Sequence, residues 1–431
     1  MKNSIFSIIS IMFAFIPILS WGATYNAGSC SQAAVSAAVG LASSGDTVNI
    51  PACPSGQGWS TGLTITKGIT IQGAGAGQTV LVDNTSSGPM LAFDVNGADW
   101  RVTGIEFRGG SGGKQWSYIL YGGGNSHAFR IDNCKFYDWK ATIRAIWLNG
   151  DLWGVIDSNV FDTNNQFIQA IQVQHSNWGG LGSYGDNSWA DGDYLGSNKF
   201  VFIEDNTFIG PDKVAYSGIV DSLNGARIVV RYNTIDNDFV VSHGTESGGR
   251  GRGLRAFEVY NNTFNHNGGA WFTANYIRSG TGVIYNNTIN SSVGSEMARA
   301  ALFQNFRSTG AYAPWGQCTG SNAYDQNAGS PAGYACIDQP GRGKGDLMYG
   351  TTPTPQKWPN QALSAIYVWG NTGYSSNQAD SDSVHVVLNR DYYVGTAKPG
   401  YSAYTYPHPL RSGGGSSPII DAPTGLRVIP K

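Results

Sequence analysis

Charged residues are scarce in this 431-residue sequence, at 13% of the chain, and its 29 acidic and 27 basic side chains nearly cancel. A formal net charge of −2 excludes a generally basic nucleic-acid-binding protein, so we expect no nucleic-acid partner. The same scarcity leaves little material for amphipathic helices. By contrast, 59 glycines and a 12% share of aromatic residues suit many short strands joined by turns. The composition therefore favours an all-β protein.

Long apolar runs are also absent, with one exception at the N-terminus. The run Ile5–Leu19 follows Met1-Lys2-Asn3 and is followed by small residues at Gly22 and Ala23. It is short for a membrane anchor and ends where a signal peptidase would cut, so it predicts a signal peptide over residues 1–23. We expect a secreted protein, extracellular or periplasmic, with no membrane span in the mature chain.

Cysteine is rare, with five in the chain and no Cys-x-x-Cys or histidine-rich spacing that would indicate zinc. Cys30 and Cys53 lie near the N-terminus, and Cys318 and Cys336 bracket a loop rich in glycine, asparagine and alanine. In an oxidising compartment these two pairs predict two disulfides. Cys134 is left over.

A six-residue motif returns along the chain, mostly at intervals of 25 to 29 residues. Its clearest copies are Ile131–Phe136, Ile156–Phe161, Ile203–Phe208, Val230–Ile235, Val259–Phe264 and Ile284–Ile289, with weaker copies at Val102–Phe107 and Val368–Gly373. Each interval fits one coil of a solenoid. The repeat therefore predicts a single-stranded right-handed parallel β-helix.

The fourth motif position is asparagine in most copies: Asn159, Asn206, Asn233, Asn262, Asn287 and, in a weaker copy, Asn371. A short amide side chain tolerates left-handed backbone at a bend and bonds to nearby backbone. Stacked coils would bring these amides into a ladder along the axis. Cys134 occupies the same position, so we expect it to be a buried structural thiol.

The repeat and its flanks predict one domain over residues 24–411. Its first part, about 24–60, contains an alanine-rich segment that predicts a short helix capping the N-terminal end of the solenoid. Residues 309–358, dense in Gly, Pro, Asn and Tyr, depart from the repeat and predict a long irregular loop. Residues 412–431 begin with a Gly/Ser run and predict a flexible tail.

The repeat and the N-terminal cap resemble those of the pectin-lyase-like superfamily of parallel β-helices. Within it, Ser242–Thr245, Arg250–Gly253 and Glu258–Thr263 are similar to a His-Gly-Thr and Arg-Gly signature of secreted bacterial β-helix repeat proteins. The resemblance covers residues from about 45 to about 410. It implies a bacterial source and an extracellular polysaccharide partner. It leaves the chemistry open, because this superfamily contains lyases, hydrolases, epimerases, depolymerases and adhesins.

A solenoid aligns equivalent positions of successive coils, so a row of outward side chains can follow an extended polymer. One candidate row lies two places before the asparagine: Asp132, Asp157, Glu204, Arg231, Tyr260, Tyr285 and Trp369. A second candidate row lies on another strand of each coil: Trp147, Gln174 with His175, Asp221, His243, Asn275, and Gln304 with Asn305. We favour the second row, because its titratable groups are close to an arginine-rich loop.

That loop carries Arg250, Arg252 and Arg255 within six residues, beside Glu246. Guanidinium groups suit the carboxylates or sulfates of an anionic polysaccharide. The same arginines would equally form a structural network with neighbouring carboxylates.

Cleavage of a uronic-acid polymer by β-elimination needs a base, a group that neutralises the substrate carboxylate, and a proton donor to the leaving oxygen. The leading hypothesis is a polysaccharide lyase with His243 as the base, Arg250, Arg252 and Arg255 as the neutralising groups, and Tyr260 as the donor. The alternative for His243 is a turn-capping role. The superfamily resemblance also implies calcium as a neutralising cofactor, with Asp205, Asp221 and Asp236 as candidate oxygen ligands.

Two other function classes remain open. A glycoside hydrolase would use two carboxylates, Asp221 with Asp236 or Asp238. A non-catalytic surface polysaccharide-binding or adhesion protein would need no chemistry. The residues predicted to bind sugar serve an enzyme and a binder alike: Trp147, His175, Glu246, Asn275 and Arg278.

Overall fold

The computed structural model describes residues 22–112, 114, 117–138, 143–162, 167–180, 182–210, 218–246, 249–267, 272–291, 298–326, 334–375 and 377–412. All but the last two residues of the predicted signal peptide, and all but the first residue of the predicted tail, lie outside the described residues. Within those ranges, no helix is both long and apolar enough to cross a membrane.

Parallel strands stack in three rows and form the right-handed parallel β-helix that the repeat predicts. Within the described residues the first face has twelve strands: Thr24–Asn26, Thr47–Asn49, Thr70–Gln72, Arg101–Thr103, the second half of Tyr118–Asp132, Asp151–Asp157, Val201–Glu204, Arg227–Arg231, Ala256–Tyr260, Thr281–Tyr285, Ile366–Trp369 and Tyr392–Val394. The second face has ten: Leu63–Ile65, Leu91–Asn96, the first half of Tyr118–Asp132, Ile143–Asn149, Phe167–Gln174, Val220–Leu223, Val240–Ser242, Asn275–Ile277, Ala301–Phe303 and Ala379–Ser381. The third face has nine: Cys53–Trp59, Thr79–Asp83, Glu106–Gly109, Lys135–Tyr137, Val160–Asp162, Thr207–Ile209, Thr234–Asp236, Thr263–His266 and Thr288–Ser291. A separate pair joins Phe272–Thr273 to Ala298–Arg299.

Helices are short and few in the described part of the chain. The α-helix Gln32–Leu41 lies at the N-terminal end, where its start is capped by the Ser31 side chain and it buries Val35, Ala38 and Val39. Its position confirms the predicted capping helix. A second α-helix spans Asp186–Trp189, and 3₁₀ turns span Trp178–Gly180, Phe306–Ser308 and Pro409–Arg411.

Inward side chains stack from coil to coil in the core. The rings of Phe107, Phe136, Phe161 and Phe208 follow one another with centroid separations of 5.2, 4.9 and 4.8 Å. These separations match the spacing of neighbouring strands, about 4.8 Å. The last motif position therefore packs against itself along the solenoid.

The predicted asparagine ladder is present. From Asn159 onward, each side-chain Nδ2 donates to the Oδ1 of the asparagine in the next coil at 2.9–3.1 Å, until Asn371 donates to Gln378. The buried Cys134 begins the ladder, with its backbone N–H donating to Asn159 Oδ1 at 2.9 Å, and its thiol is free. The left-handed backbone, however, falls one residue before each asparagine, as at Asp205 with φ 53°. The asparagine turns its amide into the core, so the preceding residue makes the bend.

Both predicted disulfides form, Cys30–Cys53 and Cys318–Cys336. The second lies in the 309–358 segment, whose described part packs a small apolar cluster around Trp315 and Tyr324. Trp315 also fixes this segment to the solenoid, because its Nε1 donates to the Gly251 carbonyl at 2.8 Å.

The C-terminal segment, residues 401–411, covers the first candidate row. Arg231, within that row, donates to the carbonyls of Tyr404 and Thr405, both at 2.8 Å. Arg411 donates to Glu204, another member of the row, at 3.0 Å. The outward side chains from Asp132 to Tyr260 in this row are consequently buried. The first row is therefore wrong as a polymer-binding surface, because the chain's own C-terminal segment occupies it.

Candidate functional site

An aspartate–histidine pair lies on the second face. Asp221 is in the strand Val220–Leu223, and His243 directly follows the adjacent strand Val240–Ser242. His243 Nδ1 lies 2.6 Å from Asp221 Oδ1, and the His243 side chain is 26% exposed whereas that of Asp221 is 1% exposed. Burial raises the pKa of Asp221, but the charge and hydrogen bond of His243, the charge of Arg278 and the hydrogen bond from Gln172 together lower it, so the net pKa lies below its usual range. Asp221 is therefore an ionised carboxylate that orients one ring nitrogen of a partly exposed histidine.

A chain of amide side chains supports this pair from the N-terminal side. Asn224 donates to Gln174 at 3.0 Å, Gln174 donates to Gln172 at 3.2 Å, and Gln172 donates to Asp221 Oδ2 at 3.1 Å. All three bonds run in the same direction, toward the carboxylate. Both Asp221 oxygens therefore have donors, one from Gln172 and one from His243.

Arg278 and Glu246 lie against the turn that follows His243. The Arg278 backbone N–H donates to Ser242 Oγ at 3.0 Å, and its Nη1 donates to Glu246 Oε1 at 3.0 Å. Glu246 also accepts the Gly244 N–H at 2.9 Å. The structure thus brings together four predicted site residues, Asp221, His243, Glu246 and Arg278.

The arginine-rich loop does not join this group. Arg252 is fully buried, where it donates to Asp186 at 2.8 Å and to Asp338 at 2.7 and 2.8 Å. Arg250 binds the same Asp186 at 2.5 Å. Arg255 is also buried and donates to the Asp191 carbonyl, and burial lowers its pKa to about 10. These three arginines bind partners inside the fold. Their contacts indicate a structural role rather than the predicted role of neutralising a substrate.

Three other predicted site residues are buried as well. Tyr260 is 2% exposed under the C-terminal segment, where its hydroxyl accepts from Arg231 at 2.8 Å, so it has no access to a substrate. His175 accepts the Arg227 N–H on Nδ1, and burial lowers its pKa to about 3. Asn275 faces the interior and donates to the Ala300 carbonyl at 2.8 Å. Each of the three serves packing rather than contact with a polymer.

Trp147 is partly exposed on the second face, as predicted, within a small aromatic cluster. Its ring lies 4.5 Å from that of Tyr118 and 5.7 Å from that of Tyr121 by centroid. Arg144, on the same strand, was not predicted as a site residue. The motif marks the first and third faces, whereas strands of the second face have no shared pattern that would align their outward residues.

The three candidate calcium ligands are separated in the fold. Asp221 lies on the second face and Asp236 on the third, where it accepts from Asn265 at 2.7 Å. Asp205 is bound by Arg411 and Tyr406. The one group of three metal-type ligands among the described residues is Cys318, Cys336 and His385, whose sulfurs form a disulfide. Calcium dependence stays a prediction with no ligand cluster behind it.

Comparison with known proteins gives solved structures of low similarity. An alginate lyase from Paenibacillus sp. str. FPU-7 is 14% identical, over 88% of this chain and 97% of that one, with a TM-score of 0.39. The catalytic domain of a GH87 alpha-1,3-glucanase in complex with nigerose is 11% identical, over 91% of this chain and 70% of that one, with a TM-score of 0.22. No family model matches the chain, and no curated protein does. Scores of this size transfer neither a substrate nor a catalytic residue.

Proposed function

We propose that this protein is a secreted enzyme that cleaves an acidic, uronate-containing polysaccharide by β-elimination, with His243 as the base. The observation that carries the proposal is the Asp221–His243 pair, 2.6 Å apart, in which the histidine side chain is 26% exposed. An ionised carboxylate on Nδ1 keeps that nitrogen protonated and leaves Nε2 to accept a proton. Nε2 has no hydrogen-bond partner among the described residues.

The reaction requires three events that these residues can perform. His243 Nε2 takes the C5 proton of a uronate, the electron pair forms the C4–C5 double bond, and the C4–O bond breaks. The imidazolium then returns a proton to the leaving oxygen. Arg278, whose charge also acts on Asp221, is the cation beside His243; its Nη1 is bound by Glu246 and its Nε has no acceptor among the described residues, so the substrate carboxylate shares this arginine with Glu246.

The state of the nearby carboxylates favours elimination over hydrolysis. Hydrolysis uses one carboxylic acid and one carboxylate on either side of the scissile bond. Asp221 is engaged by His243 and Gln172, and Glu246 by Arg278. Asp236 is on a different face, and Asp238 is 1% exposed and accepts the Phe239 N–H, so neither completes an accessible pair with Asp221.

The form of the second face suits a long substrate. Trp147 and its neighbouring tyrosines lie toward the N-terminal side of His243, and Phe306, 37% exposed, lies toward the C-terminal side, with the Arg278 guanidinium 4.8 Å from its ring. Aromatic rings at both sides offer surfaces on which sugar rings stack.

The test is incubation of the mature chain with a panel of uronate polymers, following both absorbance of unsaturated ends and release of reducing ends. We expect both signals to rise together with one polymer and to vanish in His243→Asn. Reducing ends without unsaturated ends would favour a hydrolase, and binding without either signal would favour an adhesin.

A further inference from the structure

Arg144 is an arginine without a partner. Its side chain makes no hydrogen bond or ion pair with the described residues, and its Nε is buried without an acceptor. Every other arginine of the described chain has such a partner. A buried donor without an acceptor destabilises a fold. Arg250, Arg255, Arg278 and Arg342 also have a buried Nε without an acceptor, so what sets Arg144 apart is that no other atom of its guanidinium has a partner among the described residues.

Two further unpartnered polar atoms lie next to Arg144. Its neighbours in register are Tyr118 on one strand and Gln169 on the other. Gln169 is 8% exposed, and its Oε1 is buried without a donor. Trp147, three residues further along the strand, has a buried Nε1 without an acceptor. Both atoms are covered by the surrounding fold, so the feature open to a ligand is the unpaired Arg144 charge beside the half-buried Tyr118 and Trp147 rings.

We infer that Tyr118, Arg144, Trp147 and Gln169 form a subsite for an anionic sugar residue, an inference that rests on the proposed function. The planar guanidinium binds two oxygens of a carboxylate or a sulfate. Gln169, the register neighbour of Arg144, lies beside the guanidinium at this site. The Tyr118 and Trp147 rings pack against the C–H face of the sugar. An anionic sugar pairs with the Arg144 charge, which a neutral sugar does not.

The subsite lies on the N-terminal side of the reaction centre, close enough for the charge of Asp221 to act on Arg144. Three strand spacings separate Ile143–Asn149 from Val240–Ser242, which amounts to about 14 Å. Trp147 is in register with Gln172, and Gln172 with Asp221, so Arg144 binds an anionic group on the N-terminal side of the bond attacked by His243. Arg144 sets a second charge requirement at a fixed distance along the polymer, so an oligosaccharide too short to reach it binds weakly.

The test measures binding apart from cleavage. Mature chain carrying His243→Asn is titrated by calorimetry with oligogalacturonate, oligomannuronate, a sulfated oligogalactan and a neutral oligogalactan. In that background Arg144→Met lowers affinity for the anionic ligand about 10- to 100-fold. Arg144→Lys retains part of the affinity. The matched control Arg108→Met, which removes an equal charge from the third face, leaves affinity unchanged.

The outcomes separate the subsite from the reaction. The oligosaccharide whose affinity depends on Arg144 shows whether the bound group is a carboxylate or a sulfate. Equal affinities in Arg144→Met and Arg108→Met overturn the subsite, as does failure of every anionic oligosaccharide to bind. If binding depends on Arg144 but the wild type cleaves no polymer, the proposed elimination reaction is contradicted and the subsite is supported. If Arg144→Met cleaves the polymer with an unchanged KM, the elimination reaction is supported and the subsite is contradicted.

Discussion

Replacement of Arg252 by methionine tests whether the arginine-rich loop is structural. Methionine has a similar length but removes three charged hydrogen bonds, two to Asp338 and one to Asp186. Removing one partner from a buried ion pair destabilises a fold by about 3–5 kcal/mol. Asp186 keeps Arg250, and Asp338 keeps the Gly253 N–H and the Gln361 amide. These remaining partners place the expected loss at the lower end, about 3 kcal/mol.

The assay is urea unfolding of Arg252→Met beside Arg108→Met. Arg108 makes a partly exposed pair with Glu106, so its removal costs under about 1 kcal/mol. The specific activity of the Arg252→Met molecules that remain folded should stay close to that of the wild type. An Arg252→Met protein with unchanged free energy of unfolding and no cleavage would refute the structural assignment and restore the loop as a catalytic element.

Three other predictions follow from the same contacts. Asp221→Asn leaves His243 without its carboxylate and should lower the rate of cleavage about 100- to 10,000-fold with the unfolding free energy changed far less; an unchanged rate would remove the pair from the mechanism. Burial lowers the pKa of His175 to about 3. As the pH falls below about 6.5, this histidine therefore takes up a proton in the unfolded chain but not in the folded chain. The free energy of unfolding should therefore fall by up to about 5 kcal/mol between pH 6.5 and 3 on account of this group, and His175→Gln should flatten that slope in urea titrations. Replacing Cys318 and Cys336 by alanine should cost about 2–4 kcal/mol in the same assay, and no loss would mean that the disulfide adds nothing to the fold.

The fold could be predicted because its determinants repeat locally. Each coil carries its own apolar positions and its own asparagine, and the ladder from Asn159 to Asn371 follows from stacking equal coils. The capping helix and the position of Cys134 at the start of the asparagine ladder were also predictable from short stretches of sequence. Short-range patterns of this kind are visible in one sequence.

The site was predicted only in part, because the residues that a side chain contacts in the fold can lie far from it in the sequence. Arg252 binds carboxylates 66 and 86 residues away, and no pattern around Arg250–Arg255 indicates them. Tyr260 was expected to be exposed, but the C-terminal segment covers it, and the contact residues of that segment lie more than a hundred positions later in the sequence. His243 and Asp221 were found because both are titratable residues on adjacent coils. Arg144 was missed because the evidence for it is an absent partner.

Mass analysis of the cleavage products formed in water enriched with heavy oxygen tests the central claim most directly. Elimination by the Asp221–His243 pair predicts that the fragment with the new non-reducing end is unsaturated and one water lighter than the hydrolysis product of the same length, and that the other fragment takes up heavy oxygen no faster than an uncleaved oligosaccharide exchanges it at its reducing end. The same products should be missing with His243→Asn. Saturated fragments at both new ends, with heavy oxygen incorporated at the moment of cleavage, or unchanged products from His243→Asn, would contradict the account.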